Sequence, residues 1–318
     1  MRYSVTVDVP ILLVIFNRPD TVAKVMGVLR KIKPKYLYVA ADGPRATRPD
    51  ERSKTEAARE IAISIDWSCE VKTLFREENM GCRRAVSGAI DWFFEHVEEG
   101  IILEDDCVPD PSFFRYANEL LARYRNDTRI MAISGDNFHG SVHQSPYSYF
   151  LSRYPHCWGW ASWRRAWKLY DRDMSLWLAL RDSDWLLDIG VGSRQFQRYW
   201  TDIFDRSYAG EIDSWAYRWT FTCWAQNGLT ILPIRNLVKN IGFGEDATHT
   251  KGSKRLESKL ELESLDFPLS HIPYMTRDVA ADKWTDRHVL GISRWSSLKN
   301  LVFKVPCVHG IKVFLRGQ

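Results

Sequence analysis

Short apolar runs alternate with segments of helical periodicity up to residue 133, and no other feature restricts the fold of this chain as much. Ile11 to Phe16, Tyr36 to Ala41, Val71 to Phe75, Ile101 to Leu103 and Ile130 to Ile133 each suit one buried strand. Between them, Pro19 to Lys31, Ala57 to Ile65, Arg83 to His96 and Ser112 to Tyr124 read as helices. Their apolar residues recur three and four apart, as in Val22, Val25, Met26 and Leu29. Arg45 to Lys54 is polar and reads as a surface loop. Strands that alternate with helices of this length build βαβ units, and such units assemble a parallel, doubly wound sheet with helices on both faces. The expected fold is α/β and Rossmann-like.

A sheet of that kind collects ligands beyond the carboxyl ends of its strands. Those ends deliver Asn17 and Arg18, Asp42, Asn79 and Gly81, and then Glu104, Asp105 and Asp106 to one edge. Pro109 and Pro111 stop the strand behind the acidic triplet. Three adjacent carboxylates repel one another. A hard divalent cation relieves the repulsion, and Mg²⁺ is ordinarily held by one or two carboxylates plus substrate phosphates. For the triplet alone, a solvated acidic turn is the plain alternative. A nucleotide suits this edge, although no G-x-G-x-x-G follows the first strand, so the dinucleotide version is excluded.

After Ser134 the rhythm changes. Residues 135–153 read as loop, and His156 to Trp163 leads into Arg164 to Asp171. Gln195 to Tyr208 and Trp215 to Gln226 read as helices, the second capped by Asp213 or Ser214. Thr230 to Pro233 is a short strand, and Asn240 to Thr250 is a loop with two glycines that could close over a bound diphosphate. Beyond residue 252 the pattern weakens into an extension. Fourteen tryptophans crowd toward Trp158 to Trp224, which suits stacking on sugars and suits core packing equally.

Charged residues are 26 % and hydrophobic ones 45 %, which excludes a disordered chain. Six cysteines without a C-x-x-C pair favour free thiols over a zinc site or a disulfide framework. No signal peptide precedes the first strand, and no apolar run approaches the roughly 18 residues of a membrane span, so a reduced, cytoplasmic protein is expected. The net charge of +4 resides in residues 293–318, where Arg294, Lys299, Lys304, Lys312 and Arg316 meet no acidic residue. Cations gathered in one tail rather than along a face do not suit nucleic acid. Interleaved with Trp295, Leu298 and Phe303, they suit peripheral contact with an anionic membrane, or else a tail packed on the body with its charges in water.

These motifs carry a family likeness. The stretch from Pro10 to Leu29, Asp42-Gly43, the helix from Cys82 to Phe94 and above all residues 100–140 (GIILEDDCVPDPSFF at their start) resemble the GT-A fold nucleotide-sugar glycosyltransferases. Residues 156–167, 211–219 and 240–249 follow in the family's order. Within the family the chain looks like the inverting enzymes of the N-acetylglucosaminyltransferase I type and their bacterial relatives. The likeness covers Pro10 to Thr250 and leaves out the extension.

The resemblance implies a doubly wound GT-A domain that takes a sugar (GlcNAc is one candidate) from a nucleotide-sugar, UDP-linked in the family, with Mn²⁺ or Mg²⁺ on the diphosphate. The acceptor would be a hydroxyl of a glycan or a lipid-linked glycan, as in bacterial surface-polysaccharide synthesis. Asp106 would touch the metal, and His249 is a second metal candidate, with a solvent or phosphate contact as its alternative. Glu104 and Asp105 would face ribose and sugar. Arg18 and Asp42 would hold the uridine end, with Asn17, Asn79, Gly81 and Arg83 beside them. Asp213 would be the catalytic base, for which a helix start favours an anion, or only an N-cap. Asp136, Trp158 and Trp160 are candidates for the acceptor side, the two tryptophans being equally good core. The implied organisation is a nucleotide-sugar-binding half at 1–134, an acceptor-binding and catalytic half at 135–252, and an extension with a basic, apolar tail at 253–318. A sugar nucleotidyltransferase is the alternative reaction on such a fold, but Asn17-Arg18-Pro19-Asp20 is not the Gly-rich, cationic loop that class carries. A non-catalytic carbohydrate-binding protein would not need both Asp106 and Asp213.

Overall fold

The computed structural model describes residues 8–242 and 260–292. Strands β1 (Ile11–Ile15), β2 (Tyr36–Ala41), β3 (Glu70–Phe75), β4 (Glu99–Glu104), β6 (Ile130–Ser134), β7 (Tyr149–Ser152), β8 (Trp160–Trp163) and β9 (Leu229–Pro233) form one sheet. Its order is β3-β2-β1-β4-β8-β6-β9-β7, and a separate antiparallel pair joins β5 (Cys107–Pro109) to β10 (Val238–Asn240). The pairings make β3, β2, β1, β4, β6 and β9 run one way and β8 and β7 the other. This is the mostly parallel α/β sheet that the strand–helix alternation predicts.

Helices cover both faces. On one lie α1 (Pro19–Ile32), α2 (Glu51–Ile63) and α4 (Pro111–Tyr124), packed on Ile11, Leu13, Leu37, Val39, Ile101 and Leu103. On the other lie α3 (Cys82–His96), α5 (Arg164–Trp167), α6 (Trp177–Arg181), α7 (Trp185–Ile189), α8 (Arg194–Tyr208) and α9 (Trp215–Ala225). These close an aromatic core around Trp160, Trp167, Trp177, Trp200, Trp219 and Trp224. The helix starts follow from local chemistry. Pro111 occupies the first turn of α4 while the Asp110 carboxylate accepts from Ser112 N at 2.8 Å, and Ser193 Oγ likewise accepts from Phe196 N of α8 at 3.2 Å.

Three elements depart from the sequence reading, each for a reason. Helix α2 starts six residues earlier than Ala57, at Glu51, because its first turns bury a carboxylate and a hydroxyl, Glu51 and Thr55, rather than apolar side chains. Strand β7 falls where a loop was expected. All four of its residues are buried, so it does not show the polar alternation that marks a half-exposed strand. In the region read as a patternless extension, α10 (Val279–His288) packs through Asp282, Thr285 and Asp286, leaving Ala281 as its one buried apolar residue. Ser152 Oγ donates to Asp282 at 2.6 Å and Arg153 Nη2 to Asp286 at 2.6 Å, so this helix is held by polar bonds that leave no hydrophobic period. Among the described residues no helix is long and apolar enough to cross a membrane.

Candidate active site

The order β3-β2-β1-β4 sets the site. The chain winds outward from β1 through β2 to β3, then returns to place β4 on the other side of β1. The carboxyl ends of β1 and β4 therefore flank the point where the winding reverses, where open α/β sheets leave a crevice for ligands. The parallel register sets Val14 beside Glu104, so Phe16, Asn17 and Arg18 leave β1 next to the acidic triplet. Phe16 N donates to Asp105 Oδ2 at 3.1 Å. One nitrogen of Arg18, Nη2, donates to Asp105 Oδ1 and to Asp106 Oδ2, the latter at 2.9 Å.

The three carboxylates are not equivalent. Asp105 is 3 % exposed and serves the fold, tying β1 to β4 through Phe16 and Arg18. Desolvation raises its pKa above the usual carboxylate range against the pull of Arg18. Desolvation first, then Asp106 and Asp105, hold the Glu104 carboxyl well above that range too, while the Trp215 side chain hydrogen-bonds it. Arg18 is held strongly cationic by the two aspartates in spite of its burial.

Asp106, whose side chain is 15 % exposed, is the aspartate of the three that reaches the surface more. Gly242 lies against it: a Cβ there would stand 2.1 Å from Asp106 Oδ2 and 3.0 Å from Arg18 Nη1, so any side chain at 242 would have to push the Asp106 carboxylate aside. Among the described residues no three His, Cys, Asp or Glu side chains converge as a cation cage. One hard, partly exposed carboxylate fits a divalent cation whose remaining ligands come from water and from substrate phosphate, the ordinary arrangement for Mg²⁺.

The next strand end is organised by Asp42. Its carboxylate accepts from Asn79 Nδ2 at 2.9 Å, from Met80 N at 3.0 Å and from Gly43 N at 3.0 Å, and desolvation raises its pKa. The two loops press so closely that a Cβ on Gly43 would stand 2.4 Å from the backbone of Glu78. Asp42 and Asn79 thus tie the end of β2 to the loop after β3. Asn17 donates to Glu51 at 3.3 Å, and Glu51 in turn grips Arg45, which orders the loop above β2. Glu51 was not singled out from sequence, since nothing distinguishes it among the charges of residues 45–54.

Asp213 comes to this edge from far along the chain, and not as the cap of its own helix. Ser214 holds the N-cap position of α9 and makes no side-chain cap bond. The Asp213 carboxylate instead reaches the start of α3, where Oδ1 accepts from Arg83 N at 3.3 Å and lies 4.0 Å from Arg83 Nε. Gly81 makes room for it: φ is +78°, and a Cβ there would stand 3.0 Å from Asp213 Oδ2. The Asp213 side chain is 54 % exposed. Cys82, the first residue of α3, feels Glu104, Asp213, Asp42 and Asp106 together, and burial plus these four carboxylates push its thiol up to about 12. The Cys82 thiol therefore lies near the carboxylates of two strand ends, Asp42 after β2 and Glu104 and Asp106 at the end of β4, and near Asp213.

The acceptor-side candidates fare differently. Asp136 is 1 % exposed and joins two loops, accepting from Ser134 Oγ at 2.7 Å and from Trp158 N at 3.2 Å; burial pushes its carboxyl up to about 7. Trp158 is partly buried with its ring 5.1 Å from that of Phe138. Trp160 is corrected to core: it is 1 % exposed and stacks on Trp215 at 5.6 Å, with Trp167 and Trp219 around it. Trp215, which the sequence reading used only as a helix start, is the link from this core to Glu104. His249, most of the loop Asn240 to Thr250 and the tail 293–318 lie outside the described residues.

Comparison with known proteins adds little. No family model and no curated protein matches the chain. Among solved structures, UDP-glucose pyrophosphorylase in complex with UDP-glucose aligns at a TM-score of 0.30 and 8 % identity, over 51 % of this chain and 78 % of that one. Mouse xyloside xylosyltransferase 1, apo form, aligns at 0.32 and 12 %, over 68 % and 80 %. Likeness this distant says nothing of what the present chain binds.

Proposed function

We propose that the chain is a glycosyltransferase that transfers a sugar, with inversion, from a nucleotide-sugar to a hydroxyl of a glycan or lipid-linked acceptor. The observation that carries the proposal is that one partly exposed carboxylate in the turn after β4 (Asp106) and one half-exposed carboxylate from a distant loop (Asp213) lie about the same residue, Cys82, at the winding reversal of the sheet. The two have separate tasks. Asp106 is the residue that would hold Mn²⁺ or Mg²⁺ on the donor diphosphate, where a divalent ion offsets the charge that develops on the leaving group. Arg18, fixed by Asp105 and Asp106, adds a cation on the same side. Asp213 takes the proton of the acceptor hydroxyl as that oxygen attacks the anomeric carbon, so the base stands opposite the leaving group and the configuration inverts. The Asp42–Asn79 pair bounds the nucleoside end. UDP is the diphosphate we assign to the donor, on the resemblance of residues 100–140.

A thermal-shift titration tests the donor assignment. With Mn²⁺ present, a UDP-sugar at about 100 times its Kd should stabilise the fold by roughly 2.7 kcal/mol. GDP- and TDP-sugars should give less, and omission of the metal should reduce the shift. No shift with any member of the panel, with or without metal, contradicts a nucleotide-sugar site.

A further inference from the structure

Arg218 is 2 % exposed, and among the described residues no carboxylate closes an ion pair with it. Such a residue is costly. Burial lowers its pKa, with the Arg83 guanidinium acting in the same direction, and a neutral side chain would fill the same space without that penalty. The guanidinium spends its donors on three backbone carbonyls. Nε donates to Arg172 O at 3.0 Å, Nη1 to Ser214 O at 3.1 Å and Nη2 to Ser207 O.

Ser207 lies in the last turn of α8 and Ser214 at the start of α9. The loop between them is the one that carries Asp213. One planar fork therefore clamps both ends of that loop and fastens it to a third segment, near Arg172. Only a guanidinium presents donors in a rigid fan able to serve three carbonyls at once; an ammonium is a single point. Among the described residues, the charged groups Arg83, Asp173 and Asp213 face this cation, with the uncharged Tyr170 hydroxyl near it.

We propose that Arg218 is the positioning residue for Asp213, holding the loop 207–214 so that the carboxylate stays at the mouth of α3. This rests on the glycosyltransferase reading above. Catalytic groups are sensitive to placement, and a displacement of about 1 Å from a distant change can cost about a hundredfold in rate. The loop bears no donor contact in this account, so donor affinity should not follow the rate.

The test compares Arg218→Met and Arg218→Lys with wild type. It measures the release of UDP from UDP-N-acetylglucosamine, or of the corresponding nucleoside diphosphate from whichever UDP-, GDP- or TDP-sugar stabilises the wild type most, with donor Kd and Tm measured alongside. Arg218→Met should lose about a hundredfold in kcat. Arg218→Lys should fall between it and wild type, and both should keep the donor Kd. Wild-type kcat in folded protein, whatever the Tm, overturns the proposal and leaves Arg218 a purely structural clamp. A donor Kd that weakens in step with kcat overturns it as well. If Arg218→Met does not fold, Arg218→Lys decides on the same two readings. Asp213→Asn run in parallel separates this from failure of the parent reading: full turnover in that variant removes the base itself, whatever Arg218 does.

Discussion

Asp106→Ala should abolish donor turnover and weaken binding of the nucleotide–metal complex while leaving the fold in place. The reason lies in how labour is divided within the triplet. Asp105 is buried and bonded to both Phe16 N and Arg18, so its removal leaves the Phe16 amide without its acceptor, a loss of about 1–3 kcal/mol, and Arg18 with Asp106 alone. Asp106 shares the same arginine but is more exposed, and Asp105 remains to pair with Arg18 in the variant. Asp106→Ala should therefore lose activity with a small change in Tm, and Asp105→Ala should lose Tm first. Turnover near the wild-type rate for Asp106→Ala, in Mn²⁺ or Mg²⁺, removes the metal anchor from the account.

Asp213→Asn should lower the rate by about 10² to 10⁴, the usual worth of a general base, with donor affinity nearly intact. Asparagine retains an oxygen that can accept from Arg83 N, so the start of α3 keeps its partner and the variant isolates proton transfer. Unchanged activity would leave Asp213 as a cap on α3 alone. A product of retained anomeric configuration would also exclude it as the base, because a base that activates the acceptor from the face opposite the leaving group gives inversion.

Much of this site was legible in the sequence because strand ends advertise themselves. The apolar runs 11–16, 36–41, 71–75 and 101–103 fixed where β1 to β4 finish, and with them the places of Arg18, Asp42, Asn79 and the triplet. What a linear pattern could not supply was the pairing across the fold. That Asp213 would reach α3 instead of capping α9 depends on Gly81 leaving space for it, a contact between residues 132 positions apart. Trp160 read equally well as sugar platform or as core, since composition is blind to the Trp215 ring stacked on it. Helix α10 was invisible because its buried face is made of Asp282, Thr285 and Asp286, and a helix docked through polar bonds has no hydrophobic period to read. Nothing in the sequence pattern marks Arg218, whose three carbonyl partners lie at residues 172, 207 and 214.

On the proposed function, this edge cleaves the bond between a sugar and a nucleoside diphosphate. The most direct measurement follows the products formed by the purified wild-type protein from UDP-, GDP- and TDP-sugars in Mn²⁺ or Mg²⁺, with glycan acceptor or with water alone. Release of the nucleoside diphosphate is expected, dependent on the divalent ion and absent in Asp106→Ala. Release of a sugar 1-phosphate with nucleoside triphosphate when pyrophosphate is supplied, and no diphosphate release, would instead mark a nucleotidyltransferase and contradict the proposed function.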